Sequence, residues 1–296
     1  MSGMPAKPAP AAAENWAALD WAQPWLESVR SVGEPLCQRI AQGLPVHQAL
    51  NLALPNALRD VGLRFVAQHD LPEGVAYETF IFHERKVPTR DNFHDFFNGL
   101  IWLHWPHLKL HLNALQASEI ARDGVQQRRG PLRDAITVLD ENGAIWLAPQ
   151  QLIEALQARD WQRLMVKLRP LWQHSRLLPV GHALLEKLVF PRKPITAHVL
   201  CLSTECAGQA MTLQVAQGLQ TALLTPAEVD AALVAWPGFA APALATKPFS
   251  PLPVLGVPGW WSENANFSFY DDSFVFRSQR SAKNIPTPEP AQVTAA

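Results

Sequence analysis

Four polar residues around position 94 recur at helical spacing and carry side chains suited to acid–base chemistry. Asp91, His94, Asp95 and Asn98, here called the polar stripe, fall on one face of a helix together with Trp102. Exposed helix faces prefer Lys, Glu, Arg and Gln, which are better helix formers. A histidine beside carboxylates holds its proton more tightly and can be oriented for proton transfer. The stripe therefore predicts a site with His94 as general base, oriented by Asp91 or Asp95, and Asn98 as a hydrogen-bond donor.

Two simpler interpretations of the polar stripe stay open. It can be the solvated side of an amphipathic helix, or a buried hydrogen-bond network that stabilises the fold without doing chemistry. Thr89 or Asp91 is the expected N-cap, and the helix is expected to run to Trp105, before Pro106.

Further candidate residues precede and follow the polar stripe. His83 and Glu84 are predicted at the end of a strand, a position from which side chains reach one edge of a fold. His182 and Glu186 are four residues apart on a short predicted helix and could form an acid–base pair. The simpler interpretation, which the residue types favour, is a hydrogen-bonded core histidine for His83, and capping and packing for His182 and Glu186. Guanidinium groups suit phosphate or carboxylate oxygens, and the arginines predicted to bind an anionic substrate are Arg90, Arg128, Arg129 and Arg133.

The sequence lacks the standard motifs for metal and nucleotide binding. HExxH, GxGxxG, GxxxxGK[ST] and GxSxG are all absent. Histidine ligands would have to converge from separate elements, for example His83, His94 and His182 with Asp95. We therefore expect no cofactor and no tightly bound metal. A weakly held Mg²⁺ on Asp91 and Asp95 stays open, since this ion needs only one or two carboxylates.

Composition limits the class of protein. The 296 residues are 48% hydrophobic and 17% charged, which indicates a globular chain with a sizeable core. The net charge of −1 argues against bulk nucleic-acid binding and against binding to anionic membranes. Cys37, Cys201 and Cys206 form no CxxC pair and are expected to be reduced thiols. With no targeting segment visible, we expect a cytoplasmic protein without membrane association; the sequence does not indicate its oligomeric state.

The pattern of elements predicts an α+β fold, a single helix-rich domain with a small mixed or antiparallel sheet. The domain is expected over residues 14–278, between disordered Ala/Pro/Ser/Thr-rich tails at 1–13 and 279–296. Strands are predicted at 75–82 and 198–202, and a hairpin at 136–147 with its turn at Asn142-Gly143. Helices are predicted at 150–168, at 181–190, and after a capping box formed by Thr225 and Glu228.

A longer set of motifs resembles a known bacterial family. The motifs are His83-Glu84, VPTRDNFHDFFN at 87–98, RGPLRD at 129–134, DENG at 140–143, Gly181-His182 and LGVPGWW at 255–261. In these the chain resembles domain-of-unknown-function family 3025 over nearly the whole length between the tails. The resemblance implies a single domain of bacterial type and brings no activity, so no catalytic role can be carried over from it.

The leading functional hypothesis is a hydrolase acting on a small anionic substrate, a class chosen because hydrolysis needs no cofactor motif. His94 is the base, the arginines hold the anion, and His182 or Glu186 supplies the acid. This assembly requires His94 to lie within about 10 Å of the arginines or of His182. The alternative is a non-catalytic binding or scaffold protein in which the polar stripe is a buried network. Whether the protein is an enzyme is left open at this stage.

Overall fold

Helices carry most of the chain, of which the structure, a computed structural model, describes residues 14–124, 130–204 and 225–279. The α-helices are α1 (Glu27–Ala41), α2 (Val46–Asn51), α3 (Asn56–Arg59), α4 (Tyr77–Glu84), α5 (Phe93–His104), α6 (Pro106–Asp123), α7 (Pro131–Asn142), α8 (Gln150–Gln157), α9 (His182–Lys187), α10 (Pro226–Ala235) and α11 (Ala241–Leu244). The strands are β1 (Arg64–Ala67), β2 (Lys86–Thr89), β3 (Gly143–Ala148), β4 (Arg176–Pro179), β5 (Thr196–Ser203) and β6 (Phe249–Pro253). Short 3₁₀ segments include Gln68–Asp70, Arg169–His174 and Phe267–Asp271, and Arg163–Lys167 is a π-helix. The predictions for residues 1–13 and 280–296, and those for Arg128, Arg129 and Cys206, lie outside the described residues.

The strands form two small sheets. β1 and β2 pair in parallel, and the other four strands form a mixed sheet in the order β4-β3-β5-β6. β3 and β5 are parallel neighbours, whereas β4 and β6 pair antiparallel at the two edges. β3 is buried along its whole length, as a central strand covered on both faces should be. The predicted α+β class with a small mixed sheet is confirmed. None of the helices in the described ranges is long and apolar enough to cross a bilayer.

Helix α5 connects the hydrophobic core to the polar stripe. Phe93, Phe96, Phe97 and Leu100 are buried on its apolar side, in the same core cluster as residues of α1 and α2. α5 packs against α9, and α9 also packs against α7. Because α5 is held on several sides, the residues on its polar side have fixed positions opposite α7 and α9.

The predicted strand at 75–82 is wrong, since this segment is helix α4. Its β-branched and aromatic residues suit a strand, but the helix buries Phe80 and Ile81 side by side in the interior. Helix α4 ends at Glu84, and the next residue, Arg85, has a φ of 54°, the left-handed conformation common after a helix. His83 and Glu84 therefore lie on a helix and not at the end of a strand.

The predicted hairpin at 136–147 is also wrong, because its first half is the end of α7 and its second half is β3. Leu132, Ala135, Ile136 and Leu139 have helical spacing and are buried. Gly143 begins β3 with ordinary extended backbone and makes no tight turn. A Cβ at this residue would lie 2.3 Å from the carbonyl oxygen of Leu139, so the helix-to-strand junction requires glycine for close approach.

The remaining helix predictions are confirmed in part. The segment 150–168 is not one helix: α8 ends at Gln157, and Arg159 has a left-handed φ of 51° before the π-helix. The helix at 181–190 is present as the shorter α9, the strand at 198–202 as β5, and the capping box of Thr225 and Glu228 begins α10. The N-cap of α5 is neither Thr89 nor Asp91. Asn92 caps it by accepting the amide N–H of Asp95 at 2.8 Å.

Candidate active site

A cavity of about 350 Å³ lies among the helices that carry the polar stripe and its neighbours. Residues of α4, α5, α6, α7 and α9 line it. The polar residues of its lining are Gln68, Tyr77, Glu78, Arg90, His94, Asp95, Asn98, Lys109, Asn113, Gln116, Asp140, Glu141 and His182. Concave sites that combine several convergent polar groups are the usual form of a small-molecule site.

Two histidines meet at one side of the cavity. The Nε2 atoms of His94 and His182 are 3.1 Å apart, and the rings are edge to face with centroids separated by 4.5 Å. Nδ1 of His94 lies 2.8 Å from a carboxylate oxygen of Glu186, one turn along α9 from His182. Since a carboxylate only accepts, Nδ1 of His94 carries the hydrogen, and in the neutral ring Nε2 is left with its lone pair.

His182 is buried, and two carboxylates surround its ring without forming hydrogen bonds to it. Nδ1 is 3.8 Å from Oδ2 of Asp140, and Nε2 is 3.7 Å from Oε2 of Glu141. Nδ1 has no hydrogen-bond partner among the described residues. Burial lowers the pKa of His182 to about 4; the nearby Asp140 charge opposes this, and Lys109 and His94 add to the lowering. The ring is therefore neutral at pH 7.

A buried lysine on α6 forms the centre of the cavity's hydrogen-bond network. The Lys109 ammonium donates to Oδ1 of Asn98 at 2.9 Å and to the Asp140 carboxylate, and it lies 5.3 Å from the centre of the Trp102 ring. Burial by itself raises the pKa of Asp140, but the Lys109 charge, the nearby histidines and the hydrogen bond from Lys109 together outweigh burial, so that this pKa is lower than usual. The Lys109–Asp140 pair is thus a buried ion pair whose ammonium uses two of its three N–H groups on these partners.

Tyr77 and Glu78 of α4 line the cavity with buried groups whose pKa values are raised. Asn98 donates to the hydroxyl of Tyr77 at 3.2 Å, and burial raises the pKa of Tyr77 well above its usual value. Asn113 donates to the carboxylate of Glu78 at 2.7 Å. Burial, and then repulsion from Asp140, raises the pKa of Glu78. The hydroxyl of Tyr77 is therefore protonated at neutral pH and can take part in hydrogen bonds within the cavity.

Asp91 and Asp95 do not orient His94, contrary to the sequence prediction. The carboxylate of Asp95 accepts two side-chain N–H groups of Arg90, at 2.9 and 3.0 Å, and this bidentate pair raises the pKa of the guanidinium. Asp91 lies outside the cavity lining and accepts the backbone N–H of Val46 at 2.8 Å, at the start of α2. The partner of His94 is instead Glu186, which approaches from a helix 92 residues away in sequence.

The other sequence predictions fall into three groups. The cavity contains Arg90, His94, Asp95, Asn98 and His182, and the distance of 3.1 Å between the two histidines meets the condition of the hydrolase hypothesis. The side chains of His83 and Glu84 are exposed and lie outside the cavity lining, because α4 turns them outward. Arg133 lines a smaller adjacent cavity of about 240 Å³ instead of the main one, and its Nε has no hydrogen-bond partner among the described residues.

Sequence reasoning missed Lys109, Asp140 and Glu141 as site residues. Lys109 stands among the apolar residues and histidines of Trp102–Leu112, and a lysine amid mostly apolar positions is a signal for a polar partner. The helical spacing of Leu132 to Leu139 predicts that the next residues continue the helix, which would have placed Asp140 and Glu141 at its end.

Three residues of the cavity could hold a metal ion. His94, Glu141 and His182 each offer one ligand atom, and these atoms all lie within 4.8 Å of one another. The lining contains four carboxylates (Glu78, Asp95, Asp140 and Glu141) against the two cations Arg90 and Lys109, a formal excess of two negative charges. The electrostatic balance of the cavity therefore favours a bound cation.

Comparison with known proteins identifies a family but no characterised relative. The sequence model of the family described as "Protein of unknown function (DUF3025)" matches residues 63–280, a range that contains every residue of the cavity lining. No curated protein and no solved structure matches the chain.

Proposed function

The chain belongs to this family of proteins of unknown function, and we propose that it is a hydrolase whose active site is the cavity at His94 and His182. One observation carries the proposal. The two imidazole rings meet at their Nε2 atoms, 3.1 Å apart, while a carboxylate lies near the Nδ1 atom of each ring. Histidines backed by carboxylates are suited to activating water, and hydrolysis needs water as its only co-substrate.

Within this proposal, Glu186 is a positioning residue for His94. Its contact with Nδ1 fixes the ring orientation and the tautomer, so that Nε2 is left as the acceptor. His182 is held by burial at the first position of α9. The water to be activated therefore lies beside the histidine pair, on the side that opens to the cavity.

The cavity also limits the substrate. A volume of about 350 Å³ is near the lower end for small-molecule sites and suits a small substrate. Lys109 can direct its third N–H toward a charged or carbonyl oxygen, and Arg90 lies on the lining as well. The excess of carboxylates opposes a purely anionic ligand, so we propose that an anionic substrate group binds together with a cation.

The test is a screen of the purified protein against phosphate esters, carboxylic esters, peptides and glycosides, with and without divalent metal. We expect turnover of at least one class, and a loss of 100-fold or more in kcat/KM for His94→Ala, the usual scale for a lost acid–base group. His83→Ala is the matched control because its histidine is exposed and outside the cavity. Equal activity in wild type and His94→Ala would refute the assignment of the site.

A second candidate function, a non-catalytic scaffold, is favoured by the continuity of the buried network. Tyr77, Asn98, Lys109 and Asp140 form one chain of hydrogen bonds, and such a chain can serve the fold alone. The stability of His94→Ala separates the two functions. A large loss of stability supports a structural network, whereas normal folding with lost turnover supports the enzyme.

A further inference from the structure

We propose that His94, His182 and Glu141 form a binding site for one divalent metal ion, with zinc as the ion that these ligands favour. This inference reverses the sequence-based expectation of no tightly bound metal, which no observation so far has tested. Ion binding itself does not require any catalytic activity. The catalytic role given to the ion below rests on the proposed hydrolase function.

The spacing of the three ligand atoms fits a single small ion. Two nitrogens bound to zinc at about 2.0–2.1 Å with a tetrahedral angle are roughly 3.3 Å apart. The Nε2 atoms of His94 and His182 are 3.1 Å apart, and Oε2 of Glu141 is 3.7 Å from Nε2 of His182. All three ligand atoms lie within 4.8 Å of one another, and the partly exposed side chains of His94 and Glu141 are free to adjust toward a shared ion.

The hydrogen-bond requirements of the histidines point the same way. Because Nδ1 of His94 donates to Glu186, the lone pair on Nε2 of His94 faces Nε2 of His182. A direct hydrogen bond would place the hydrogen of neutral His182 on Nε2 and leave its Nδ1 as a buried acceptor facing the Asp140 carboxylate at 3.8 Å. An ion shared by the two Nε2 atoms removes this conflict, since the hydrogen of His182 then lies on Nδ1, toward Asp140.

The residues behind the ligands have the arrangement found around protein-bound metals. Metal-bound histidines nearly always donate their other N–H to a carboxylate, a carbonyl or water. Glu186 accepts the other N–H of His94, and Asp140 is the carboxylate that lies near Nδ1 of His182. Asp140 is itself held by Lys109, so the carboxylate behind the buried histidine is fixed.

Charge and coordination number define the ion's role. A divalent cation balances the formal excess of two negative charges in the cavity lining. Three protein ligands leave a fourth position for water, as in catalytic zinc sites. With Nε2 of His94 bound to the ion, the ion would take over the activation of water from this histidine: it would lower the pKa of the water in the fourth position, and the hydroxide formed would attack the electrophilic atom of the substrate. The bond to the leaving group breaks with its electron pair, and the leaving group takes up the released proton.

Direct binding measurement tests the site without any substrate. The full chain is treated with a chelator, and zinc is titrated by calorimetry and by competition with a chelating indicator. We expect one zinc per chain, and at least 100-fold weaker affinity for His94→Gln and His182→Gln. His83→Gln is the matched control with unchanged affinity, because the same substitution is made at an exposed histidine. His94→Gln decides the outcome if His182→Gln does not fold, since the side chain of His94 is partly exposed.

X-ray absorption on the zinc-loaded protein provides a readout of the ligands. Two imidazoles are expected at the ion in the wild type and one in His94→Gln. Absence of stoichiometric zinc binding, or equal affinity in wild type and His94→Gln, would overturn the proposal. Zinc bound by this site without turnover of any substrate class removes the hydrolase proposal and leaves the metal site in place. Turnover of a substrate by a protein that binds no zinc would overturn the metal site and leave the hydrolase proposal in place.

Discussion

Two buried polar clusters on helix α6 differ in whether their hydrogen bonds are complete. At the start of α6, Asp230 of α10 accepts the backbone N–H groups of His107 and Leu108, at 2.8 and 2.7 Å, and Nδ1–H of His107 at 2.9 Å. Around Lys109, by contrast, Nδ1 of His182 has no partner among the described residues. A buried carboxylate whose two oxygens both accept hydrogen bonds serves the fold. A cluster that leaves buried polar atoms unpaired is suited to a ligand.

The largest effect is expected for Lys109→Met, which leaves the buried Asp140 carboxylate without its cation. Removing one partner of a buried ion pair costs about 3–5 kcal/mol, and urea unfolding measures the loss. Arg30→Met is the control, since its exposed pair with Glu34 contributes at most about 1 kcal/mol. The double variant Lys109→Met/Asp140→Leu should recover much of the loss. A single variant as stable as wild type would show that this pair does not hold the cavity together.

Asp230→Ala comes next and tests the cluster whose hydrogen bonds are complete. It removes three hydrogen bonds and leaves the two backbone N–H groups at the start of α6 without their acceptor. The expected loss is about 2–3 kcal/mol in unfolding free energy. Zinc affinity should stay within a factor of two of wild type, because Asp230 does not line the cavity. A fall in zinc affinity comparable to that of His94→Gln would mean that the two clusters are not separate.

The contrast between local and long-range contacts also explains what the sequence could predict. The spacing of His94, Asp95 and Asn98 is local, and these three residues share the lining of one cavity. The partners of His94 and Lys109, in contrast, come from α9 and α7 and depend on how helices pack. Local patterns predict which face of a helix is polar, and the tertiary fold decides which residues meet there.

The misassigned elements follow from the same cause. The aromatic and β-branched residues of 77–82 have strand propensity, but packing of α4 against α6 overrides it. Asn142-Gly143 matched a common hairpin turn, although the apolar residues before it are spaced as in a helix. This helical spacing places Asp140 and Glu141 at the end of α7, but it does not indicate that α7 packs against α9 beside the site. The long-range contact of His182 with His94 carries no comparable local signal.

Glu186→Gln tests the cluster that is suited to a ligand. The substitution keeps the shape of the side chain but removes the charge that orients His94, so zinc affinity should fall about 10- to 100-fold, equivalent to roughly 1.4–2.8 kcal/mol. Metal-free stability should change by less than about 0.5 kcal/mol, because this side chain is partly exposed. Calorimetry and urea unfolding on the same preparation separate the two effects. An unchanged zinc affinity would exclude Glu186 as a positioning residue.

His104 of α5 makes the stability of the fold depend on pH. Burial lowers the pKa of His104, and its hydrogen bond to the carbonyl of Leu100 offsets this only in part. The unfolded chain therefore takes up this proton near pH 6.5, before the folded chain does. The stability contributed by neutral His104 is complete above pH 6.5 and is lost as the pH falls from 6.5 through the folded pKa. The loss amounts to about 1.4 kcal/mol for each unit by which the pKa is lowered.

The corresponding variant is His104→Leu, followed by urea unfolding between pH 7.5 and pH 5. Its unfolding free energy should fall less steeply with decreasing pH than that of wild type. His111 and His198 also have lowered pKa values caused by burial, and they act in the same direction in both proteins. The difference between the two curves therefore isolates His104. Parallel curves would show that His104 binds its proton equally in the folded and unfolded chains.

The smallest effect is expected for Asp91→Ala, which tests a residue that the sequence assigned to the site and the structure assigns to the fold. Asp91 accepts the N–H of Val46, the first residue of α2, and so acts on that helix as a capping side chain does. Loss of such a cap costs about 1 kcal/mol. Zinc affinity and turnover should equal those of wild type, whereas Glu186→Gln should show the opposite pattern of effects. If Asp91→Ala instead weakens zinc binding and leaves stability intact, the polar stripe acts as one unit at the site. The division between structural and ligand-binding carboxylates on this side of α5 would then be incorrect.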